Sequence, residues 1–187
     1  MPPKVKITKN DIIDTVLALV RERGAESINA RSIAAALNCS TQPIFSNFES
    51  MEELEKSILS AAYEKYLSFI SEETKSEKYP QYKAYGMAYV RFAKEEKELF
   101  KLLFMRARTD EDRSPSPDFE ESVQIIMKTN GISFEKAMRM HLETWAFVHG
   151  IGTMLATSFL PLELDIISDM LSDVYQGLRA NLLKEDN

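Results

Sequence analysis

The chain has 187 residues, 44% of them hydrophobic and 28% charged, with a formal net charge of −6 and a single cysteine. A chain of this length buries roughly 70% of its unfolded surface, enough for one medium domain or two smaller ones without covalent staples. The apolar fraction excludes a disordered or fibrous chain, and a lone Cys39 excludes an internal disulfide framework and fits a reducing cytoplasm.

The opening residues, MPPKVKITKND, carry three lysines among the first ten, no acid there, and no apolar run of the secretory type. Thr8 is placed to cap a first helix whose apolar face is Ile12, Val16 and Val20, flanked by Ile13 and Leu17. Arg21, Arg23 and Gly24 close that helix. Asn29 is placed to cap a second, short helix bearing Ile33, Ala34 and Leu37, and Asn38 tolerates the left-handed backbone of a tight turn. Ser40 is expected to cap a third short helix over residues 41–48. Two short helices about three residues apart have the spacing of a helix-turn-helix.

From Met51 the pattern lengthens. One long helix is expected over residues 51–74, capped by Ser50 with Glu53 at the capping-box position and ended by the linker at 76–80. Residues 82–108 read as one or two helices with a break near 95–97, and residues 109–117 (TDEDRSPSP) as a polar loop. A helix over 119–129 ends at Asn130-Gly131, and Ser133 caps another that runs to about residue 159. Pro161 is expected to start the last helix, with Leu162, Ile166, Met170, Val174, Leu178 and Leu182 in one row and Ile167, Leu171 and Tyr175 beside them. No strand alternation or internal repeat is present, so the fold class is all-α with about nine helices. The most apolar stretch, residues 145–160, is interrupted by His149, Thr153, Thr157 and Ser158 and falls short of the ~18–20 residues of a membrane span. A soluble, cytoplasmic protein with no membrane partner is expected.

The net charge of −6 argues against a nucleic-acid partner until it is divided along the chain. Residues 1–50 hold six basic and five acidic side chains, whereas the remainder holds seventeen basic and twenty-four acidic ones. In a helix-turn-helix the second helix enters the major groove with polar residues outward and apolar residues inward. Ile44 and Phe48 take the inward side, leaving Thr41, Gln42, Pro43, Ser46 and Asn47 outward. Gln42 and Asn47 carry the paired donor and acceptor that address adenine, and Thr41 offers thymine a hydroxyl or a methyl. Lys4, Lys6 and Lys9 are placed for an arm that meets phosphates or the minor groove. A small helical bundle with a polar surface has the same spacing, and spacing leaves both readings open.

The motif itself goes further. A helix closed by Gly24 is followed by the block Asn29-Ala30-Arg31-Ser32-Ile33-Ala34, a tight turn, and Ser40-Thr41-Gln42-Pro43-Ile44-Phe45-Ser46-Asn47-Phe48, continuing to Leu54. Residues 8–56 thereby resemble the DNA-binding domain of the TetR family of transcriptional regulators. A DNA-binding domain is expected at residues 1–50, with Asn29, Arg31, Ser40, Thr41, Gln42, Pro43, Phe45, Ser46 and Asn47 as candidate contact residues beside the Lys4, Lys6 and Lys9 arm. Three positions depart from the family pattern. Phe45 stands where a tyrosine hydroxyl usually meets a phosphate, Met51 where a lysine usually does so, and Asn38 where the turn usually has glycine. Two missing phosphate contacts imply weaker, less salt-sensitive binding unless the lysine arm compensates.

Residues 51–187 resemble the regulatory domain of one TetR subgroup through Trp145-Ala146-Phe147-Val148-His149-Gly150 and the preceding aromatic stretch from Phe92 to Phe104. That resemblance implies an effector-binding and dimerisation domain: a homodimer through the last two helices and a pocket for a small, lipophilic effector. Tyr89, Phe92, Phe104, Trp145 and His149 are the candidate pocket residues, each with core packing as its alternative. The expected function is a repressor released from a palindromic operator by its effector. Control by a protein partner or no effector at all, and an all-α carrier or enzyme, are the competing readings. His141 and His149 lie eight residues apart on one helix with no further histidine, so no metal or other cofactor is expected. The absence of a nucleophile or phosphate-loop motif argues against catalysis.

Overall fold

A computed structural model describes residues 7–107 and 117–184. These residues form nine α-helices and no strand: α1 (Lys9–Arg23), α2 (Ala30–Ala36), α3 (Gln42–Asn47), α4 (Met51–Lys75), α5 (Gln81–Glu95), α6 (Lys97–Phe104), α7 (Pro117–Asn130), α8 (Phe134–Ala156) and α9 (Leu164–Lys184), with one 3-10 turn at Ala25–Ser27. The expected loop at 109–117 lies outside the described residues, apart from Pro117, which opens α7. No helix among the described residues is long and apolar enough to cross a membrane. The chain divides into two compact units. One holds the described residues to Lys65 together with Glu96–Arg106, and the other holds Tyr66–Glu95 and the described residues from Ala107 onward. The first unit thus passes residue 50, because Leu54, Ile58 and Ala62 of α4 repeat every four residues and are completely buried.

In the first unit, Thr8 and Asp11 form a reciprocal capping box at the start of α1. Gly24 ends the helix at a positive φ of 77°, a backbone conformation in which a side chain would be strained. Asn29 caps α2 by accepting from the Ser32 N–H. Packing of α1 on α6 is fastened by a two-pronged pair, Arg21 Nε to Glu96 Oε2 at 2.7 Å and Nη2 to Oε1 at 3.0 Å. At α3 the expectation is corrected: Thr41, not Ser40, holds the cap position, and no side chain caps the helix. Pro43 in the first turn has no N–H to satisfy, which reduces the need for a capping side chain. The capping box of α4 is also shifted. Ser50 Oγ accepts from the Glu53 N–H, but the Glu53 carboxylate reaches back to the N–H of Glu49 at 2.6 Å.

The second unit is built from the later part of α4 with α5, α7, α8 and α9. Arg91 on α5 lies over the Phe69 ring and pairs with Glu72, Glu73 and Glu95. Val123, Ile126, Ala137, Met140 and Leu182 form a buried cluster flanked by Tyr82, Phe119, Tyr175 and Leu178. Two expected boundaries move. Helix α8 ends at Ala156, where Thr157 turns its hydroxyl back to the Thr153 carbonyl and Ser158 takes a φ of 56°. Helix α9 begins at Leu164, three residues after Pro161, since Lys94 holds the preceding segment through the Leu162 carbonyl and the Glu163 carboxylate. The buried face of α9 also draws on both rows. Ile167 and Leu171 are buried with Leu182, whereas Ile166, from the same row as Leu182, is 52% exposed.

His141 sits inside this unit with Nδ1 3.0 Å from the Tyr82 hydroxyl and its ring edge-on to Phe119. Burial pulls its pKa from 6.5 down to about 4 and pushes the Tyr82 phenol up, so the fold holds both groups neutral. Between pH 6.5 and about 4 the unfolded chain therefore binds a proton that the folded chain refuses. Stability falls as pH drops through that window, by at most about 3 kcal/mol from this group. Urea unfolding at pH 7 and pH 4.5 is expected to show this loss, and His141→Phe to diminish it; an unchanged pH dependence in the variant would assign the loss elsewhere. Gly86 marks a close approach in the unit, where a Cβ would lie 2.7 Å from Leu171 Cδ2 and 3.7 Å from Val148 Cγ2. Gly86→Val is expected to destabilise the protein by about 1–3 kcal/mol in the same assay, despite the better helix propensity of valine.

Candidate nucleic-acid interface

The α2–turn–α3 segment is shaped by one row of buried residues and one strained turn. Ile33, Ala34, Ile44 and Phe48 are buried, and Asn38 turns the chain at a φ of 50°. The N–H groups of Asn38 and Cys39 close α2 on the carbonyls of Ala35 and Ala34, leaving Cys39 half-buried in the turn. With Ile44 and Phe48 inward, the other side of α3 faces solvent: Gln42, Phe45 and Ser46 are exposed, and Thr41, Pro43 and Asn47 are half-buried.

The outward residues are unequally free. The Gln42 carboxamide makes no hydrogen bond among the described residues, so its donor and acceptor are both available. Ser46 donates its hydroxyl hydrogen to the Gln42 carbonyl at 2.9 Å. Asn47, expected beside Gln42 as a base-reading amide, instead donates to the Pro43 carbonyl at 2.8 Å and to the Ile7 carbonyl at 3.2 Å. It therefore ties the entry to α1 onto α3. Asn29 is likewise a helix cap, with its amide directed at the Glu26 carbonyl. Ser40 is exposed at the start of the segment.

Of the expected cations, Lys4 and Lys6 lie outside the described residues, and Lys9 and Arg31 have contrasting surroundings. Lys9 Nζ pairs with Glu53 Oε1 at 2.9 Å and lies 4.8 Å from the centre of the Phe48 ring. This pairing, with the Glu49 N–H on the other oxygen, holds the Glu53 carboxyl below its ordinary range. Arg31 is exposed and makes no ion pair among the described residues. Glu52 and Glu53 occupy the first turn of α4, where they complement the helix dipole but repel phosphate. The clamp on Lys9 was not visible in the sequence, because its partner is 44 residues away.

Of the five candidate effector residues, Tyr89, Phe92, Trp145 and His149 belong to the second unit. Tyr89 is buried with its hydroxyl 2.8 Å from His149 Nδ1, and His149 stacks on Trp145 at 5.1 Å between ring centres. These three form one continuous contact ending at an outward-facing tryptophan. Phe92 is completely buried, with its ring 5.4 Å from Tyr66 and 5.3 Å from Phe69, so it is core. Phe104 belongs to the first compact unit, beside Phe100. Among the described residues no group of three potential metal ligands occurs.

No family model matches the sequence, and no curated protein matches it. Solved structures do. A TetR-like transcriptional regulator from Rhodococcus sp. RHA1 superposes with a TM-score of 0.69 at 13% identity, over 94% of this chain and 96% of that one. A single-residue variant of TetR from Acinetobacter baumannii AYE, in complex with minocycline, superposes with a TM-score of 0.56 at 15% identity, over 97% of each chain. The chain has the fold of these regulators along nearly its whole length.

Proposed function

We propose that this chain is a TetR-like, DNA-binding transcriptional regulator, and that it acts as a repressor released from a palindromic operator by a small lipophilic molecule. The observation that carries the reading is the outward side of α3, where an uncommitted Gln42 carboxamide stands on a helix anchored from behind by Ile44 and Phe48. The shared fold supports it over 94% of the chain. Gln42 is the adenine-reading residue, and Arg31 the phosphate contact with the fewest competing partners.

A palindromic operator requires two copies of α3 about 34–36 Å apart. The outer sides of the last two helices supply the surface for pairing. Phe134, Leu142 and Trp145 on α8 and Ile166 on α9 are each more than two-fifths exposed, an apolar pattern suited to a four-helix junction with a second copy. In this reading the Tyr89–His149–Trp145 contact is the polar handle on the effector, whose binding favours a separation of the two α3 helices that no longer fits adjacent major grooves. A preference of about 1–3 kcal/mol between the two states gives useful regulation.

The test is selection of binding sites from a random duplex pool, followed by gel-shift titration of the purified protein. A two-fold symmetric sequence bound by a dimer is expected; equal binding to random duplex at moderate salt would defeat the proposal. Gln42→Ala is expected to relax the preference at one base pair by about 1–3 kcal/mol, and Arg31→Ala to weaken all sequences alike and reduce the salt slope by about one per protomer. Glu53→Gln removes the charge that holds Lys9. Binding is expected to strengthen on every sequence with a steeper salt dependence, and an unchanged slope would show that Lys9 stays out of reach of phosphate.

A further inference from the structure

Phe45 is a large apolar side chain left 51% exposed in the middle of α3. Its neighbours Ile44 and Phe48 are buried, so the helix is held in a rotation that keeps Phe45 outward. Thr41 and Gln42 lie one turn before it on the same side, and its ring contacts no other aromatic ring among the described residues. The polar groups around it are few. Asn47 has directed its donor inward, and Ser46 has directed its hydrogen at the Gln42 carbonyl. The outward surface of α3 therefore offers one free carboxamide and one bare phenyl ring.

We propose that Phe45 is a specificity-determining residue whose ring packs on the 5-methyl group of a thymine in the major groove. The inference rests on the DNA-binding reading above and assigns it a second base contact. A phenyl ring has no donor for phosphate, so its recognition is apolar, and the thymine methyl is the apolar mark in the major groove. Gln42, three residues earlier on the same side, addresses an adjacent adenine. The half-site is thus read by one amide and one ring, and it contains neighbouring A·T pairs.

Uracil differs from thymine only by lacking that methyl, which makes the test direct. The full-length protein is titrated against its selected duplex and against duplexes in which each thymine in turn is replaced by uracil. One thymine per half-site is expected at which the replacement weakens wild-type binding about three- to fivefold, the weight of one buried methyl. Phe45→Ala is expected to bind the thymine and uracil duplexes equally, and Phe45→Tyr to keep the preference. Because Phe45 is exposed, both variants are expected to retain the wild-type circular dichroism, and Phe45→Leu, which keeps apolar bulk, provides a second comparison with intermediate discrimination. Specific binding by the wild type with no uracil-sensitive position would overturn the inference while leaving the regulator reading intact. So would a uracil effect that persists unchanged in Phe45→Ala. Failure to select any sequence would remove both.

Discussion

The burial of Ile44 and Phe48 is the constraint from which the rest of the amino-terminal unit follows. Ile44 anchors the inner side of the six-residue α3, and Phe48, in extended backbone immediately after it, anchors its end, so that the helix keeps one orientation. Asn38 makes that orientation reachable, because its left-handed backbone turns the chain immediately after α2. Asn47 then closes the arrangement by hydrogen-bonding to the Ile7 carbonyl, so the entry to α1 is fixed to the same helix. The residues left outside are defined by this anchoring as much as by their own polarity.

Electrostatics shape the proposed DNA contact in a less permissive way. Residues 1–50 are nearly neutral while the rest of the chain carries the acidic excess. Of the described cations expected to meet phosphate, Lys9 is held by Glu53, and Arg31 makes no ion pair among the described residues. Exposed pairs of this kind are worth little to stability and are screened by salt. The Lys9–Glu53 contact is therefore a weak structural tie, and in the proposed reading it competes with phosphate for Lys9. Met51, half-buried where the resemblance anticipates a lysine, adds no charge to the same helix end.

In the second unit the division between core and outward apolar side chains carries the functional argument. Phe92 fills the interior against Tyr66 and Phe69, whereas Trp145 faces outward and stacks on His149. His141, one of two histidines on the same helix, is enclosed and neutral beside Tyr82. The two histidines of α8 therefore do different work. One is part of the core, and the other links a buried tyrosine hydroxyl to the surface.

Local chemistry was sufficient for much of this to be legible in the sequence. The all-α class, the Thr8 and Asn29 caps, the Asn38 turn and the break near residue 96 follow from side chains acting on backbone a few residues away. The four-residue spacing of Ile44 and Phe48 pointed to their burial, although Phe48 lies just past the end of α3 in extended backbone. Choices among equivalent candidates were made by tertiary structure. Gln42 and Asn47 have the same functional group, yet Asn47 is committed to the Pro43 carbonyl one turn back and to the Ile7 carbonyl that the fold brings to it, whereas Gln42 makes no such bond among the described residues. Two apolar rows compete on α9, and contact with the surrounding helices selects Ile167 and Leu171 over Ile166. Lys9 looked like a free cation until the fold brought Glu53 to it across 44 residues. Periodicity and caps are set by near neighbours, so the sequence determined them; which of several suitable side chains is left available depends on distant partners, and only the folded chain brings those together.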